Sequence, residues 1–345
     1  METATLTSSF IGTSNRGFAL YAQDEVRRLI PGTKCTELSD QEVFLMQCPI
    51  SREEVIARFG AEEPIFVRHL HPVDATTELN RQESDLHRLA ALVSREWSFR
   101  TGERLAIQVR KQDRLELPYS PAQVREALTD KLEQLFQIEP VPREAERIVS
   151  VYVTADTAYV GLSAPSDNLS DWAGGAVRFQ REEDQISRAK FKLLEAEQEF
   201  GLDLAAFSNG LDIGAAPGGW TSLLLERGLR VTAIDPGDMH PSLVKHPKLT
   251  IYRRNARDVQ FPPQSFDLLV CDMSWSPLQM AKLLIPLLDA LRTGGTAIVT
   301  LKLMHGKPFQ TVKDTSRTLA PYLELVRAKQ LFHNRDEVTL FLIKR

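Results

Sequence analysis

The segment LDIGAAPGGWTSLLLERG, Leu211 to Gly228, restricts the possible fold more than any other part of the 345-residue chain. A short apolar run ends at Asp212 and Ile213. A turn containing Gly214, Ala215, Pro217, Gly218 and Gly219 follows, and Trp220 to Arg227 has the composition of a helix. A turn so poor in side chains lets a ligand lie against the backbone, facing the N-terminus of the next helix. The following apolar run, RVTAID, ends in Asp235, about twenty residues on, where a carboxylate can accept hydrogen bonds from a ribose diol. This order of strand, glycine turn, helix, strand and acid predicts a doubly wound, mostly parallel α/β sheet that binds an adenosine-containing cofactor. The glycines do not form G-x-G-x-x-G, and their spacing favours S-adenosylmethionine over a nicotinamide dinucleotide.

The length is that of two or three domains. With 43% hydrophobic and 26% charged residues the composition is globular, which excludes a fibrous or disordered chain. No apolar run reaches the ~18–20 residues of a membrane span; even AKLLIPLLDALRTGG is interrupted by Pro286 and Asp289. The N-terminus lacks the basic start and long apolar stretch of a secretory signal. Cys35, Cys48 and Cys271 are odd in number and scattered, so they predict neither a disulfide framework nor a metal-binding pair. Together these features predict a reduced, cytoplasmic protein. The seven histidines show no ligand spacing, and no metal is expected. Net charge is −6 over residues 1–165 and +2 over 166–345, so the second half is the better host for an anionic ligand.

Ahead of the glycine turn the pattern is of short alternating units. SSFIGTS, GFALYAQDEVRRLI, KCTEL, VFLMQCPI, SREEVIARFG and IFVRHLHPV predict β-α-β-β-α-β, a ferredoxin-like order for residues 1–75. A second α+β unit over 76–165 is expected to hold one long helix (TTELNRQESDLHRLAALVSREWS), a strand (RLAIQVRK), a helix opened by Pro121, and two strands about Ala155-Asp156. The Pro-, Ser-, Asn- and Gly-rich stretch that follows predicts a linker over 166–184. Residues 185–345 carry the longer β-α units of a parallel sheet.

DIGAAPGGW is similar to the cofactor loop of the heat-shock FtsJ-like ribose 2′-O-methyltransferases of ribosomal RNA. SRAKFKLLEA, VCDMS, VTLKL and NRDEVTLFLIKR also resemble segments of that family, in the family's order. The resemblance implies a Rossmann-like class I methyltransferase domain, S-adenosyl-L-methionine as cofactor, and a catalytic tetrad of Lys192, Asp272, Lys302 and Glu337. It also implies that Gly214, Ala215, Pro217, Gly218, Gly219, Trp220, Asp235, Asn255 and Asp272 contact the cofactor. Asn255 stands where the family carries an acid. With its front half, which resembles a ferredoxin-like plus a THUMP-like RNA-binding domain, the chain is similar to the ribosomal RNA large-subunit methyltransferase M family. That likeness implies 2′-O-methylation of a cytidine in 23S ribosomal RNA, free or in a large-subunit precursor.

The residues make chemical sense without the family. A ribose hydroxyl is a poor nucleophile that must lose its proton as it attacks. A lysine serves as base only where burial or a neighbouring cation favours its neutral form. Lys302 closes the run GTAIVTLK, at the end of a strand where open α/β sheets bind ligands, and is the expected base, with Lys192 as the neighbouring charge. Each of the four residues has an ordinary reading as a surface charge, cap or strand face; their joint occurrence carries the assignment. Cys271 raises C5-methylation through a thiolate, but alternation points it away from Asp272. Base-amine methylation is disfavoured because DMSW replaces the usual Pro-Pro-aromatic turn. Arg178, Arg181, Arg188, Lys190, Lys307, Lys313 and Arg335 are candidate RNA phosphate contacts. Trp172 and Trp275 are candidates to stack on a base. The alternatives are a non-catalytic RNA-binding assembly factor of the same fold, methylation of another RNA such as tRNA, or a nicotinamide-dependent dehydrogenase.

Overall fold

A computed structural model of the chain describes residues 7–39, 41–180, 185–303 and 306–345; Arg181 lies outside the described residues. The chain divides between Ala176 and Val177 into two compact units.

The first unit opens with β1 (Ser8–Thr13), α1 (Ala19–Leu29), β2 (Lys34–Ser39), β3 (Val43–Cys48), α2 (Arg52–Ala61) and β4 (His69–Pro72). The strands form an antiparallel sheet in the order β2-β3-β1-β4, the ferredoxin-like arrangement. Helix α1 buries Ala19, Ala22 and Val26, one stripe at helical spacing, and α2 starts where Ser51 Oγ accepts the Glu54 amide at 3.2 Å. Strand β4 is shorter than IFVRHLHPV predicts. The amides of Ile65 and Phe66 donate to the buried carboxylate of Glu25 at 2.7 and 2.8 Å, so no neighbouring strand takes them.

The unit continues with β5 (Ala75–Glu78), α3 (Ser84–Glu96), β6 (Arg104–Lys111), α4 (Pro121–Phe136), β7 (Glu139–Pro140), β8 (Arg147–Val153) and β9 (Thr157–Ser163). Its sheet runs β5-β9-β8-β6-β7. Leu89 and Val93 of α3 and Leu128 and Leu132 of α4 share one core with Leu105, Val149 and Val160 of the sheet. The long helix expected from Thr76 is instead a strand and a shorter helix. The β-branched Thr76 and Thr77 pair with β9, and the Asp85 carboxylate accepts the amides of Asn80 and Gln82, closing the turn between the two elements. The stretch expected as a linker, 166–184, is packed onto this unit over its first part. Asn168 is fully buried, Arg68 Nε donates to the Gly174 carbonyl at 2.9 Å, and Gln108 Nε2 donates to the Asp171 carbonyl at 2.7 Å. Residues 181–184 lie outside the described residues.

The second unit contains α5 (Lys190–Glu199), β10 (Asn209–Ile213), α6 (Gly219–Glu226), β11 (Arg230–Ile234), β12 (Leu249–Tyr252), β13 (Phe266–Cys271), α7 (Pro277–Leu284), β14 (Leu291–Lys302), α8 (Pro308–Leu319), β15 (Leu323–Lys329) and β16 (Glu337–Lys344). Its seven-stranded sheet runs β12-β11-β10-β13-β14-β16-β15. In that order the strands from β12 to β14 are parallel, and β16 enters antiparallel between β14 and β15. All six residues of β13 are buried, as a strand covered on both faces requires. The chain order reverses at β10, whose neighbours are β11 and β13, and this opens a crevice at the carboxyl ends of β10 and β13. Among the described residues no helix is long and apolar enough to cross a membrane, and no group of three or more His, Cys, Asp or Glu could hold a metal ion.

Candidate active site

The crevice is shaped first by backbone. Gly214, just past β10, has φ +77°, and a Cβ there would lie 2.4 Å from Met273 Cγ. Gly218 has φ +112°, and a Cβ would lie 2.4 Å from Leu243 Cδ1. Both positions therefore require glycine. The Ala216-Pro217 bond between them is cis. Asp212 at the end of β10 is buried and accepts Thr221 Oγ1 of α6 at 2.6 Å, tying strand to helix across the turn. Burial pushes its carboxyl up to about 7.

A pocket of about 300 Å³ follows the turn, lined by Gly214, Asp235, Asn255, Asp272 and Trp275 among others. Asp235 fixes one carboxylate oxygen on the Gly237 amide at 2.6 Å, and among the described residues its other oxygen has no partner. Asn255 is exposed at the far side of β12. An acid with a free oxygen, an amide further along and a side-chain-free turn fit an adenosine-bearing cofactor of the size of S-adenosylmethionine. Four of the residues expected to touch the cofactor thus line the pocket. Ala215, Gly218, Gly219 and Trp220 are buried behind the turn and shape it, and Pro217 is exposed and outside the pocket lining. Trp220 acts elsewhere, its Nε1 donating to the Ala189 carbonyl at 2.8 Å and fixing the start of α5. Ala216, Met273, Ser274 and Leu283 line the pocket without having been expected from the sequence.

The four tetrad residues arrive from four elements. Lys192 lies in the first turn of α5, Asp272 directly follows β13, Lys302 ends β14 and Glu337 starts β16. Lys192 Nζ lies 3.1 and 3.2 Å from the two oxygens of Asp272 and 3.2 Å from Glu337 Oε1. The three side chains are 15–18% exposed, so these ion pairs are only partly screened. Glu337 pairs directly with Lys302 across the antiparallel ladder. Lys302 itself is exposed and makes no hydrogen bond or ion pair with the described residues. Burial pushes the Asp272 carboxyl up, against the pull of Lys192. Lys192, Lys302 and Glu337 line a second pocket of about 560 Å³, together with Arg188, Phe332, His333 and Arg335. Asp272 lines the first pocket and is ion-paired to Lys192, which lines the second. The tetrad therefore stands where the two meet.

Glu195, one turn beyond Lys192 on α5, is a site residue that sequence reasoning missed. Its buried carboxylate accepts the Phe332 amide at 2.6 Å and the His333 amide at 2.8 Å, which anchors the turn leading into Glu337. Its only sequence signal was an acid on the apolar side of a short helix. Of the expected RNA contacts, Arg188 and Arg335 line the second pocket, whereas Lys307 borders a separate groove with Leu278 and Thr311. Arg178 and Lys313 are exposed outside the lining of either pocket. Lys190 is corrected: it is buried, with Nζ 2.8 Å from Glu226 of α6, and presents no charge to a ligand. Trp172 is covered by the Arg143 guanidinium, 4.1 Å from its ring centre. Cys271 is fully buried and its thiol is pushed far up by burial, so it offers no thiolate nucleophile.

The sequence profile of the FtsJ-like methyltransferase family matches residues 185–318. Similar proteins include the ribosomal RNA large subunit methyltransferase M of Shewanella woodyi, 33% identical over 232 residues that cover 62% of this chain and 63% of that one. The protein of the same name from Shewanella sediminis is 35% identical and covers 55% of this chain and 56% of its own. That from Laribacter hongkongensis is 36% identical, covering 57% and 59%. The chain thus spans less than two thirds of the length of these relatives. The strand order, the reversed β16 and the glycine turn at the switch point are those of a Rossmann-like class I methyltransferase domain. Over residues 185–318 the chain is similar to the FtsJ-like methyltransferase family.

Proposed function

We propose that this chain transfers a methyl group from S-adenosyl-L-methionine to a ribose 2′-hydroxyl of RNA, the acceptor being a cytidine of 23S ribosomal RNA, free or in a large-subunit precursor. The observation that carries this reading is Lys192 Nζ held between Asp272 and Glu337 at 3.1 and 3.2 Å, with Lys302 opposite Glu337, at the junction of two pockets. Gly214, Asp235, Asn255 and Asp272 hold the cofactor, which when bound supplies an electrophilic sulfonium methyl. Lys302 Nζ takes the proton of the 2′-hydroxyl. Lys192, held by two carboxylates, fixes the geometry of Asp272 and Glu337 beside Lys302. Arg188 and Arg335 face the RNA phosphates at the acceptor pocket. In this reading residues 1–75 and 76–165 are ferredoxin-like and THUMP-like domains that hold structured RNA by shape, and the protein works in the cytoplasm.

Incubation with tritium-labelled cofactor and 23S ribosomal RNA from cells lacking the protein tests the proposal, with ribose-methylation mapping of the product. Label on a cytidine 2′-oxygen supports it. RNA binding without transfer would instead support a non-catalytic assembly factor, and label on tRNA would move the substrate.

A further inference from the structure

A cavity of about 980 Å³ in the second unit is not part of the tetrad site. It lies beyond the Asn255 end of the cofactor pocket and shares Ala256, Ser274, Trp275 and Leu283 with it. Its volume is far larger than an adenine needs, and Ser274 lines this cavity, the cofactor pocket and the acceptor pocket alike. Any polymer seated in the acceptor pocket can therefore continue past Ser274 into it.

The walls describe the occupant. Trp275 presents part of an indole, and Arg257 and Lys282 bring two exposed cations from different elements, the turn after β12 and helix α7. Among the described residues neither cation makes an ion pair or hydrogen bond, and Asp289 is the single carboxylate of the lining. A flat aromatic surface beside two uncompensated cations suits a nucleobase with its phosphate: the ring stacks, and the anion releases counterions as it is neutralised.

Resting on the proposed transfer to RNA, we infer that this cavity is a second nucleotide subsite. It takes a nucleotide flanking the acceptor in the same RNA strand, base against Trp275 and phosphate between Arg257 and Lys282. The subsite gives the enzyme a grip on the strand that does not depend on the front domains.

The test is the double variant Arg257→Ala/Lys282→Ala in the full-length protein, both sites being exposed and outside the cofactor and acceptor pockets. Four quantities are measured: KM for the RNA, the salt dependence of RNA binding, affinity for S-adenosylhomocysteine, and affinity for cytidine monophosphate. The inference expects KM for RNA to rise by roughly three- to tenfold and the slope of log K against log salt to fall by about 0.7, one phosphate's worth on a single strand. Affinity for S-adenosylhomocysteine is unchanged. Wild-type KM and slope in the variant would overturn it. Weakened S-adenosylhomocysteine binding with unchanged KM for RNA would assign the cavity to the cofactor instead. Cytidine monophosphate binding to wild type but not to the variant, with RNA binding unaffected, would make it a site for free nucleotides and also overturn the inference. Absence of transfer by the wild type would strike the proposed function itself, a failure separate from these.

Discussion

Lys302 and Glu337 stand directly opposite one another in the antiparallel ladder between β14 and β16, and the same glutamate reaches Lys192 at 3.2 Å. One carboxylate thereby sets the positions of both lysines. It ion-pairs with one and neighbours the other across the strands, at the ~5 Å Cβ spacing of a cross-strand pair. This asymmetry separates the roles. Lys192 is clamped by two carboxylates, whereas Lys302, which makes no ion pair with the described residues and lines the second pocket, is the one placed to meet an acceptor.

Lys302→Ala should therefore lower kcat by about 10²- to 10⁴-fold, the range for loss of a positioned base. Affinity for S-adenosylhomocysteine should stay within about twofold. Single-turnover label transfer and calorimetry measure the two. A variant with near wild-type turnover would remove Lys302 from the role.

Lys192→Met leaves Asp272 and Glu337 facing the same space without their cation. A partly buried pair broken on one side should cost about 2 kcal/mol at pH 8. The Asp272 carboxyl, already pushed up by burial, then loses the pull of Lys192 and holds its proton more tightly in the folded than in the unfolded protein, so the folded state gains as pH falls. The deficit should shrink at pH 5 relative to pH 8. Urea unfolding of both proteins at the two pH values checks this; an equal deficit at both would mean that Lys192 does not act through the carboxylates.

Glu195→Ala removes the acceptor for two backbone amides. Two buried donors left unpaired should cost about 2–4 kcal/mol. The turn carrying Glu337 loosens, so kcat should fall while cofactor affinity holds. Glu195→Gln keeps one acceptor oxygen and should recover part of both. If kcat in the Ala variant matches wild type at temperatures where it is folded, the turn does not need that anchor.

In the first unit, His69 and His71 of β4 are buried and their rings lie 6.1 Å apart. Arg68 and Arg110 are the charged neighbours, both positive, and His71 Nδ1 contacts the Pro72 carbonyl at 3.0 Å. Burial lowers the His71 imidazole to about 4 and drives His69 down as well. Between 6.5 and 4 the unfolded chain therefore binds a proton that the folded chain refuses. Stability is full above pH 6.5 and falls as pH drops towards 4, by on the order of 3 kcal/mol from His71. Urea midpoints across pH 4–8 measure the slope, and His71→Asn should flatten it. A midpoint that rises on acidification would contradict the assignment.

The parallel sheet, the glycine turn and the acid at Asp235 were legible in the sequence because each is local: a buried strand must be apolar, and a sharp turn at positive φ must be glycine. The four tetrad residues were legible only by resemblance, since nothing in a lone lysine distinguishes a base from a solvated charge. Lys190 and Lys192 illustrate the limit. Two residues apart on one helix, they read alike in the sequence, yet helical geometry turns Lys190 into Glu226 and Lys192 towards Asp272 and Glu337. The misread helix at Thr76 has the same origin: its β-branched residues found a strand partner more than 80 positions away. Sequence thus determined which backbone shapes the chain could adopt, through sterics and apolar periodicity. Only the tertiary structure decided which charges meet, because Coulombic contacts depend on distances between elements that the chain joins through long, variable connections.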